Sequence, residues 1–130
     1  MAIALKPTTA KEYSWLTRNA RARQQRTMAE FAEQEIRIPD EPGLPRYRID
    51  SQPSIRHWFE AVDSGRYERH WGTGCTQSGK TLSCVVIPAM YHLFEIGETV
   101  IVGLPSMEMA GDKWREDFEP AIRASRYRDL

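Results

Sequence analysis

The sequence predicts an α/β fold in which helices flank a small, incomplete parallel sheet and a further α-helix precedes it. Two observations support this prediction. From residue 66 onward, strand-like and helix-like segments alternate in the order strand, loop, helix, strand, helix. A glycine-rich loop lies at residues 74–81, where the first of these strands meets the first of these helices. Because parallel strands are joined by crossover helices, this order is typical of a sheet with helices packed on it.

The composition is that of one small domain with a modest core. The chain has 130 residues, of which 18 are Lys or Arg and 18 are Asp or Glu, so its formal net charge is zero. A protein that coats nucleic acid is usually more basic, which disfavours that class. The longest apolar stretch, residues 85–90, is interrupted by Pro88 and is far shorter than the ~20 apolar residues of a transmembrane helix. Cys75 and Cys84 are expected to be free thiols, and the protein is expected to be soluble and cytoplasmic.

The first part of the chain, residues 1–42, is predicted to form a helical arm and a linker. Thr8 and Thr9 can cap a helix from about residue 10 to residue 36, because apolar residues recur there mostly at three- and four-residue spacing. Proline and glycine are concentrated between residues 37 and 46 and place a domain boundary near residue 43. The middle of the helix is basic, and its arginines are Arg18, Arg21, Arg23 and Arg26. We expect this cluster either to contact DNA phosphates or a partner protein, or to form a face exposed to solvent.

Three helices are predicted in the second part, residues 43–130. The first covers residues 53–62, with Pro53 in its first turn and Ser51 as its cap. The second covers residues 79–96 and contains Pro88 as a kink site. The third covers residues 106–124, with core positions that recur at helical spacing at Met107, Trp114 and Phe118.

Two strands are predicted between these helices. Residues 98–104 are rich in β-branched apolar residues and read as a buried strand. Residues 66–73 should be a strand if the glycine-rich loop follows one, although they are unusually polar for a buried parallel strand.

The strongest motif is the glycine-rich loop, which fits the pattern G-x-x-x-x-G-K-[ST] at every fixed position. Its residues are Gly74, Cys75, Thr76, Gln77, Ser78, Gly79, Lys80 and Thr81. In this pattern the backbone N–H groups of the loop and of the following helix N-terminus surround a nucleotide's β-phosphate. The alternative is a glycine- and serine-rich turn with an exposed lysine.

Each fixed position of the pattern has a physical role. Gly74 and Gly79 allow the backbone to turn and to approach the phosphates closely. Lys80, the candidate catalytic residue, supplies a positive charge for the β- and γ-phosphates, and the hydroxyl of Thr81 is offered to Mg²⁺. The motif therefore predicts ATP and Mg²⁺ as cofactors. It also sharpens the fold class to an incomplete P-loop NTPase, a RecA/ASCE-like parallel sheet with flanking helices.

A second motif that hydrolysis requires is missing. That motif is an apolar strand ending in an acidic residue, whose carboxylate holds Mg²⁺ beside a group that orients the attacking water. The apolar residues 100–104 lead into Pro105 and Ser106, and residues 85–90 lead into Tyr91 and His92. We therefore expect negligible ATP hydrolysis by this chain alone.

Several segments resemble the large terminase subunit of tailed phages, of the lambda-like GpA type. They are Tyr47-Arg-Ile-Asp50 with Pro53, Gln77-Ser-Gly-Lys-Thr-Leu82, Ile87-Pro88, Phe94-Glu95, Val100-Ile-Val-Gly-Leu-Pro105 and Gly111-Asp-Lys-Trp-Arg115. The resemblance covers about residues 37–130, and these residues read as the N-terminal half of an ATPase domain within a much longer protein.

The resemblance implies the ATP-binding portion of a viral DNA-packaging motor in the cytoplasm of a bacterial host. In that family the ATPase drives double-stranded DNA into a procapsid, and its partners are the small terminase subunit and the portal, with oligomers expected only in the assembled motor. Gly74, Gly79, Lys80 and Thr81 match the family's phosphate loop, and Gln77 matches a common glutamine in it. Where many members carry a basic residue within the loop, this chain has Cys75 and Thr76, so an arginine finger is expected from elsewhere or from a neighbouring subunit. The nuclease of the family has no counterpart here.

Further expectations concern single residues and rival functions. Gln52 and Trp58 precede the loop at a distance where related ATPases hold adenine, so both are candidate adenine contacts. The alternative is that Gln52 is a turn residue and Trp58 a core residue. Cys75 is expected to be alkylated readily and to be protected by bound nucleotide, the alternative being a small residue without a redox role. Instead of an ATPase portion, the chain could be an interaction module that binds a partner through residues 10–36, or part of another P-loop NTPase such as a helicase.

Overall fold

The structure is a computed structural model that describes residues 24–38, 42–76 and 78–129. The fold of these residues is helical, and the predicted parallel sheet is wrong. The described residues contain no β-strand; their only ladder-like pairing is an isolated antiparallel bridge between Arg37 and Arg46. The P-loop NTPase fold expected from the sequence is therefore not shown.

Four helices organise the described part of the chain. Helix α1 is Met28–Glu35 and helix α2 is Pro53–Asp63, the latter preceded by a short 3₁₀ turn, Ile49–Ser51. Helix α3 is continuous over three stretches, Thr81–Val86, Ile87–Met90 and Tyr91–Ile96, of which the first and third are π-helical. Helix α4 is likewise continuous over Met107–Lys113, Trp114–Phe118 and Glu119–Ala124, with a π-helical middle.

Both predicted strands are extended segments without strand partners. Residues 65–75 and 97–104 follow extended or irregular paths with no ladder among the described residues. In the second segment Ile101 is 90% exposed. A strand is stabilised by hydrogen bonds and side-chain contacts from its neighbours, so β-branched sequence alone does not produce a sheet. The expectation of a buried strand over residues 98–104 is therefore wrong.

Within the part that the structure describes, helix α1 begins at Met28, so the predicted helix is not continuous through residues 24–27. Residues 24–27 are not helical, and Thr27 is the N-cap of helix α1, where it forms a capping box with Glu30. Its hydroxyl accepts from the N–H of Glu30 (3.2 Å), and the Glu30 carboxylate accepts from the N–H of Thr27 (2.9 Å). The predicted caps Thr8 and Thr9 and the helix over residues 10–23 lie outside the described residues.

Helix α1 packs by its apolar face into the core. Met28, Phe31, Ala32 and Ile36 are fully buried, so these side chains are not available to a partner protein. The carboxylate of Asp63, at the end of α2, accepts from the N–H of Met28 (2.8 Å) and so joins the two helices. The remaining core residues come from the other three helices and from the segments that flank them: Tyr47, Ile49, Phe59, Val86, Ile87, Met90, Tyr91, Ala121 and Tyr127.

Pro88 lies inside helix α3 without ending it. Proline has no N–H to donate, and the turns on either side widen to π-helical geometry. The helix ends at Gly97, which adopts a left-handed conformation (φ +84°) and donates to the carbonyl of His92 (2.9 Å).

Helix α4 buries a different face from the one that its apolar residues predicted. Ser106 caps it by accepting from the N–H of Met109 (3.1 Å), which confirms the predicted start. Met107 is 88% exposed and Trp114 is 53% exposed, so the expectation that they are core residues is wrong. Only Phe118 of the predicted set packs partly against the core, because the buried end of the helix is at Ala121 and Ile122.

Arg26 is a structural residue rather than a solvated one. Its guanidinium pairs with Glu95 (2.6 Å) on α3 and with Glu35 (2.5 Å) on α1, and the side chain of Glu95 is fully buried. These contacts raise the pKa of Arg26 and hold it charged. The other arginines of the predicted cluster, Arg18, Arg21 and Arg23, lie outside the described residues.

Within the described ranges, no helix is long and apolar enough to cross a membrane.

Candidate functional site

The glycine-rich loop connects the extended segment of residues 65–75 to helix α3. Gly79 adopts a left-handed conformation (φ +70°), which redirects the chain into the helix. The helix then starts at once, since the N–H of Ser83 donates to the carbonyl of Gly79 (2.9 Å). The fixed glycine of the sequence pattern is thus placed where a side chain would be strained.

The ammonium group of Lys80 lies inside the loop. Its Nζ donates to the carbonyl of Gly74 (2.9 Å), to the carbonyl of Cys75 and to the hydroxyl of Ser78 (3.2 Å). The Ser78 hydroxyl in turn donates to the carbonyl of Cys75 (2.9 Å). Because an ammonium group has three donors, these acceptors surround it and bend the loop around a single positive charge.

The other loop residues differ in accessibility. Cys75 and Thr76 are exposed, Thr81 is half-buried in the first turn of α3, and Gln77 lies outside the described residues. Among the described residues, no three His, Cys, Asp or Glu side chains are grouped so that they could hold a metal ion. A magnesium ion at Thr81 would therefore take its further ligands from phosphate oxygens and water.

Gln52 reaches the loop from the start of helix α2. Its Nε2 donates to the carbonyl of Ser78 at 3.5 Å, and its Oε1 accepts from the hydroxyl of Ser83 at 3.1 Å. A Cβ atom added to Gly79 would lie 2.5 Å from Nε2 of Gln52. The structure therefore brings Gln52 together with the loop, and the adenine contact expected for it stays a prediction.

Trp58 takes a different position. Its ring meets that of His70 edge-on, with 5.7 Å between centroids, and its far edge lies near Gly72. The indole N–H is buried and has no hydrogen-bond partner in the described part of the chain. Trp58 thus packs under the segment that enters the loop and does not line the cleft described next.

A cleft of about 450 Å³ opens beside Gly79. Tyr47 and Ser83 are buried members of its lining, and Arg46 and Arg48, which also line it, are exposed. It is lined by Ile38, Pro45, Arg46, Tyr47, Arg48, Ser51, Gln52, Gly79, Leu82 and Ser83. A lining that combines apolar side chains, a few fixed polar atoms and two arginines is suited to a flat, polar-edged ring attached to an anionic group.

A chain of hydrogen bonds runs from the lining of this cleft to the loop. The hydroxyls of Tyr47 and Ser83 are 3.0 Å apart, and Ser83 continues the chain to Gln52. Burial raises the pKa of the Tyr47 hydroxyl, which stays protonated at neutral pH. Sequence analysis placed Tyr47 in a segment that resembles the terminase family but gave it no role in a site, and it did not single out Ser83, because a serine one turn into a helix carries no motif.

The two cysteines have different surroundings. Cys75 is exposed in the loop, whereas Cys84 is half-buried on helix α3, and burial raises the pKa of its thiol. Both are free, as the sequence predicted.

No family model, curated protein or solved structure matches this chain.

Proposed function

We propose that this chain binds ATP·Mg²⁺, with the phosphates on the loop of residues 74–81 and the base in the adjoining cleft. The observation that carries the proposal is the position of the Lys80 ammonium, which lies within the loop at the start of a long helix. A positive charge beside a helix N-terminus favours a bound phosphate.

The phosphates would replace the loop's own oxygens as partners of Lys80. Its ammonium now bonds to the oxygens of Gly74, Cys75 and Ser78, which are neutral acceptors. A phosphate oxygen is a charged acceptor and makes a hydrogen bond roughly twice as strong. The first N–H groups of α3, which have no partner within a helix, add donors at the same end. Thr81 then supplies its hydroxyl to Mg²⁺ between the phosphates.

The base would occupy the cleft next to Gly79. The cleft adjoins the loop directly, since Gly79 belongs to both, and Gln52 offers an amide at its edge. The ring of Tyr47 and the side chain of Leu82 add apolar surface to its lining, and the exposed residues Arg46 and Arg48 add positive charge. The adenine contact predicted for Gln52 fits this geometry, whereas the one predicted for Trp58 does not, because Trp58 lies outside the cleft lining.

Efficient hydrolysis is not part of the proposal. Neither the loop of residues 74–81 nor the described lining of the cleft contains an acidic side chain. A water-activating carboxylate would have to come from another part of the motor.

The wider role that we propose is that of the ATP-binding portion of a terminase large subunit in a viral DNA-packaging motor. This step is supported by the resemblance of the loop and of the segments that follow it to that family. The partners proposed are double-stranded DNA, the small terminase subunit and the portal of the procapsid, with ATP turnover completed in the assembled motor.

The test is direct measurement of ATP binding by isothermal titration calorimetry in the presence of Mg²⁺. Replacing Lys80 with alanine removes the charge inside the loop and should weaken binding by at least about 10-fold. Lys113→Ala is the matched control, because Lys113 pairs with Asp117 (2.9 Å) on helix α4, outside the cleft lining. Equal affinities of wild type and Lys80→Ala, or no binding by the wild type, would refute the proposal.

A further inference from the structure

The Ser78 carbonyl sets the orientation of the Gln52 side-chain amide, and the Ser83 hydroxyl holds the amide from the other side. The side facing the loop meets the carbonyl of Ser78, which only accepts hydrogen bonds, so the NH₂ group must face it. With the amide reversed, two oxygens would face each other at this point. The oxygen of Gln52 therefore points to Ser83, whose hydroxyl is 3.1 Å away.

This orientation determines where each proton in the chain lies. Ser83 has a single hydroxyl proton, and it is donated to Oε1 of Gln52. The same hydroxyl can then only accept from Tyr47, whose OH is 3.0 Å away. The donations run in one direction, from Tyr47 to Ser83 to Gln52 to the loop carbonyl. Ser83 is fully buried and Tyr47 nearly so, so water does not replace a missing member readily.

The position of the Gln52 amide also bears on the shape of the loop. Its Nε2 occupies the space into which a Cβ on Gly79 would project, at 2.5 Å. Gly79 is the residue at which the loop turns into α3, with φ +70°. A rotation of the amide would remove a contact with Ser78 and open space beside Gly79.

We infer that Ser83 and Tyr47 are positioning residues that keep the Gln52 amide in this orientation and thereby hold the glycine-rich loop in its binding shape. Neither hydroxyl needs to touch a ligand for this role. The effect on ligand binding rests on the proposed function, whereas the orientation of the amide is a property of the protein without ligand. Their role is thus separate from any contact that Gln52 itself makes with a base.

The experiment measures both the orientation of the Gln52 amide and the binding of a phosphate ligand. In ligand-free ¹⁵N-labelled protein, the side-chain NH₂ resonances of Gln52 are assigned with Gln52→Ala and compared among Ser83→Ala, Ser83→Thr and Tyr47→Phe. Ser125→Ala is the matched control, because Ser125 is also buried and donates to a carbonyl, that of Ile122 (2.7 Å), away from the loop. Binding of magnesium tripolyphosphate, which has no base, is then titrated for each variant.

We expect the Gln52 resonances to shift in Ser83→Ala and Tyr47→Phe and to stay in place in Ser125→Ala. Tripolyphosphate binding should weaken by about 2- to 10-fold in Ser83→Ala and should be restored in Ser83→Thr, which keeps the hydroxyl. If Ser83→Ala does not fold, Tyr47→Phe decides, since it removes one proton donor and no packing volume.

Two results separate this inference from the proposed function. Unshifted Gln52 resonances in both Ser83→Ala and Tyr47→Phe would overturn the inference, whatever binds to the loop. Shifted resonances in a protein that binds neither ATP nor tripolyphosphate would refute the proposed function and leave the orienting role of Ser83 and Tyr47 in place.

Discussion

Replacing Gly79 with alanine tests the geometry on which the site depends. Two costs follow from the structure. The left-handed backbone of Gly79 (φ +70°) costs a residue with a side chain roughly 1–2 kcal/mol. The new Cβ would also lie 2.5 Å from Nε2 of Gln52, so the amide must move and its hydrogen bond with Ser83 is lost, at about 1 kcal/mol more. We expect the free energy of unfolding to fall by about 2–3 kcal/mol in total.

Gly97→Ala is the matched control for this experiment. Gly97 has the same kind of backbone (φ +84°), and nothing lies within 4 Å of a Cβ placed on it. It should therefore show the backbone cost alone, about 1–2 kcal/mol. Urea unfolding monitored by tryptophan fluorescence gives both values under the same conditions.

A double-mutant cycle isolates the contact with Gln52. In a Gln52→Ala background the Cβ introduced by Gly79→Ala meets no amide, so this substitution should cost no more there than Gly97→Ala. If the two glycine substitutions agree within about 0.5 kcal/mol in the wild-type background, the close approach of Gln52 to the loop is not present in solution and the reasoning fails.

Three other predictions concern the core and the cysteines. Arg26→Ala should lower the free energy of unfolding by about 3–5 kcal/mol, because it leaves the buried Glu95 carboxylate without this partner. Arg56→Ala breaks an exposed pair with Asp50 and should cost at most about 1 kcal/mol. Equal effects of the two substitutions in urea unfolding would contradict the role assigned to Arg26. Burial, with Asp63 nearby, raises the pKa of Tyr91 to about 12. The stability that its protonated hydroxyl provides is therefore complete below about pH 10, the pKa of tyrosine in the unfolded protein, and is lost as the pH rises from there toward 12. Tyr91→Phe should lose less stability than wild type over that range, and parallel pH profiles would exclude Tyr91 as the cause. Iodoacetamide should alkylate exposed Cys75 faster than half-buried Cys84, and ATP should slow the reaction at Cys75 alone; peptide mass spectrometry showing equal rates would contradict this assignment.

The helices could be predicted from the sequence where local signals and the core agree. Helix α2 begins at Pro53 as expected, because proline is suited to the first turn of a helix, although Gln52 rather than Ser51 holds the cap position. Helix α4 begins after Ser106, whose hydroxyl caps it. The predicted helix is interrupted at residues 24–27, because apolar spacing does not reveal the capping box at Thr27, and its predicted start near residue 10 lies outside the described residues.

The candidate site was predictable in part for a similar reason. The loop is found because the pattern requires Gly79 and Lys80 at fixed positions, and the structure shows a physical use for both. The cleft beside it is formed by residues far apart in the chain, among them Tyr47 and Ser83. No short pattern joins such residues, so sequence analysis singled out Gln52 as a candidate and gave the hydroxyls of Tyr47 and Ser83 no role in a site.

The sequence by itself determined the positions of the helices from residue 53 onward, the G-x-x-x-x-G-K-[ST] pattern of the loop and the two free thiols. These features depend on neighbours a few residues away along the chain, such as caps, apolar spacing and glycine positions. Only the tertiary structure decided that residues 66–73 and 98–104 form no sheet in the described part, that Arg26 joins an ion-pair cluster with buried carboxylates, and that Trp114 faces solvent. These outcomes depend on which distant segments pack together, and propensity at a single residue does not specify its partners.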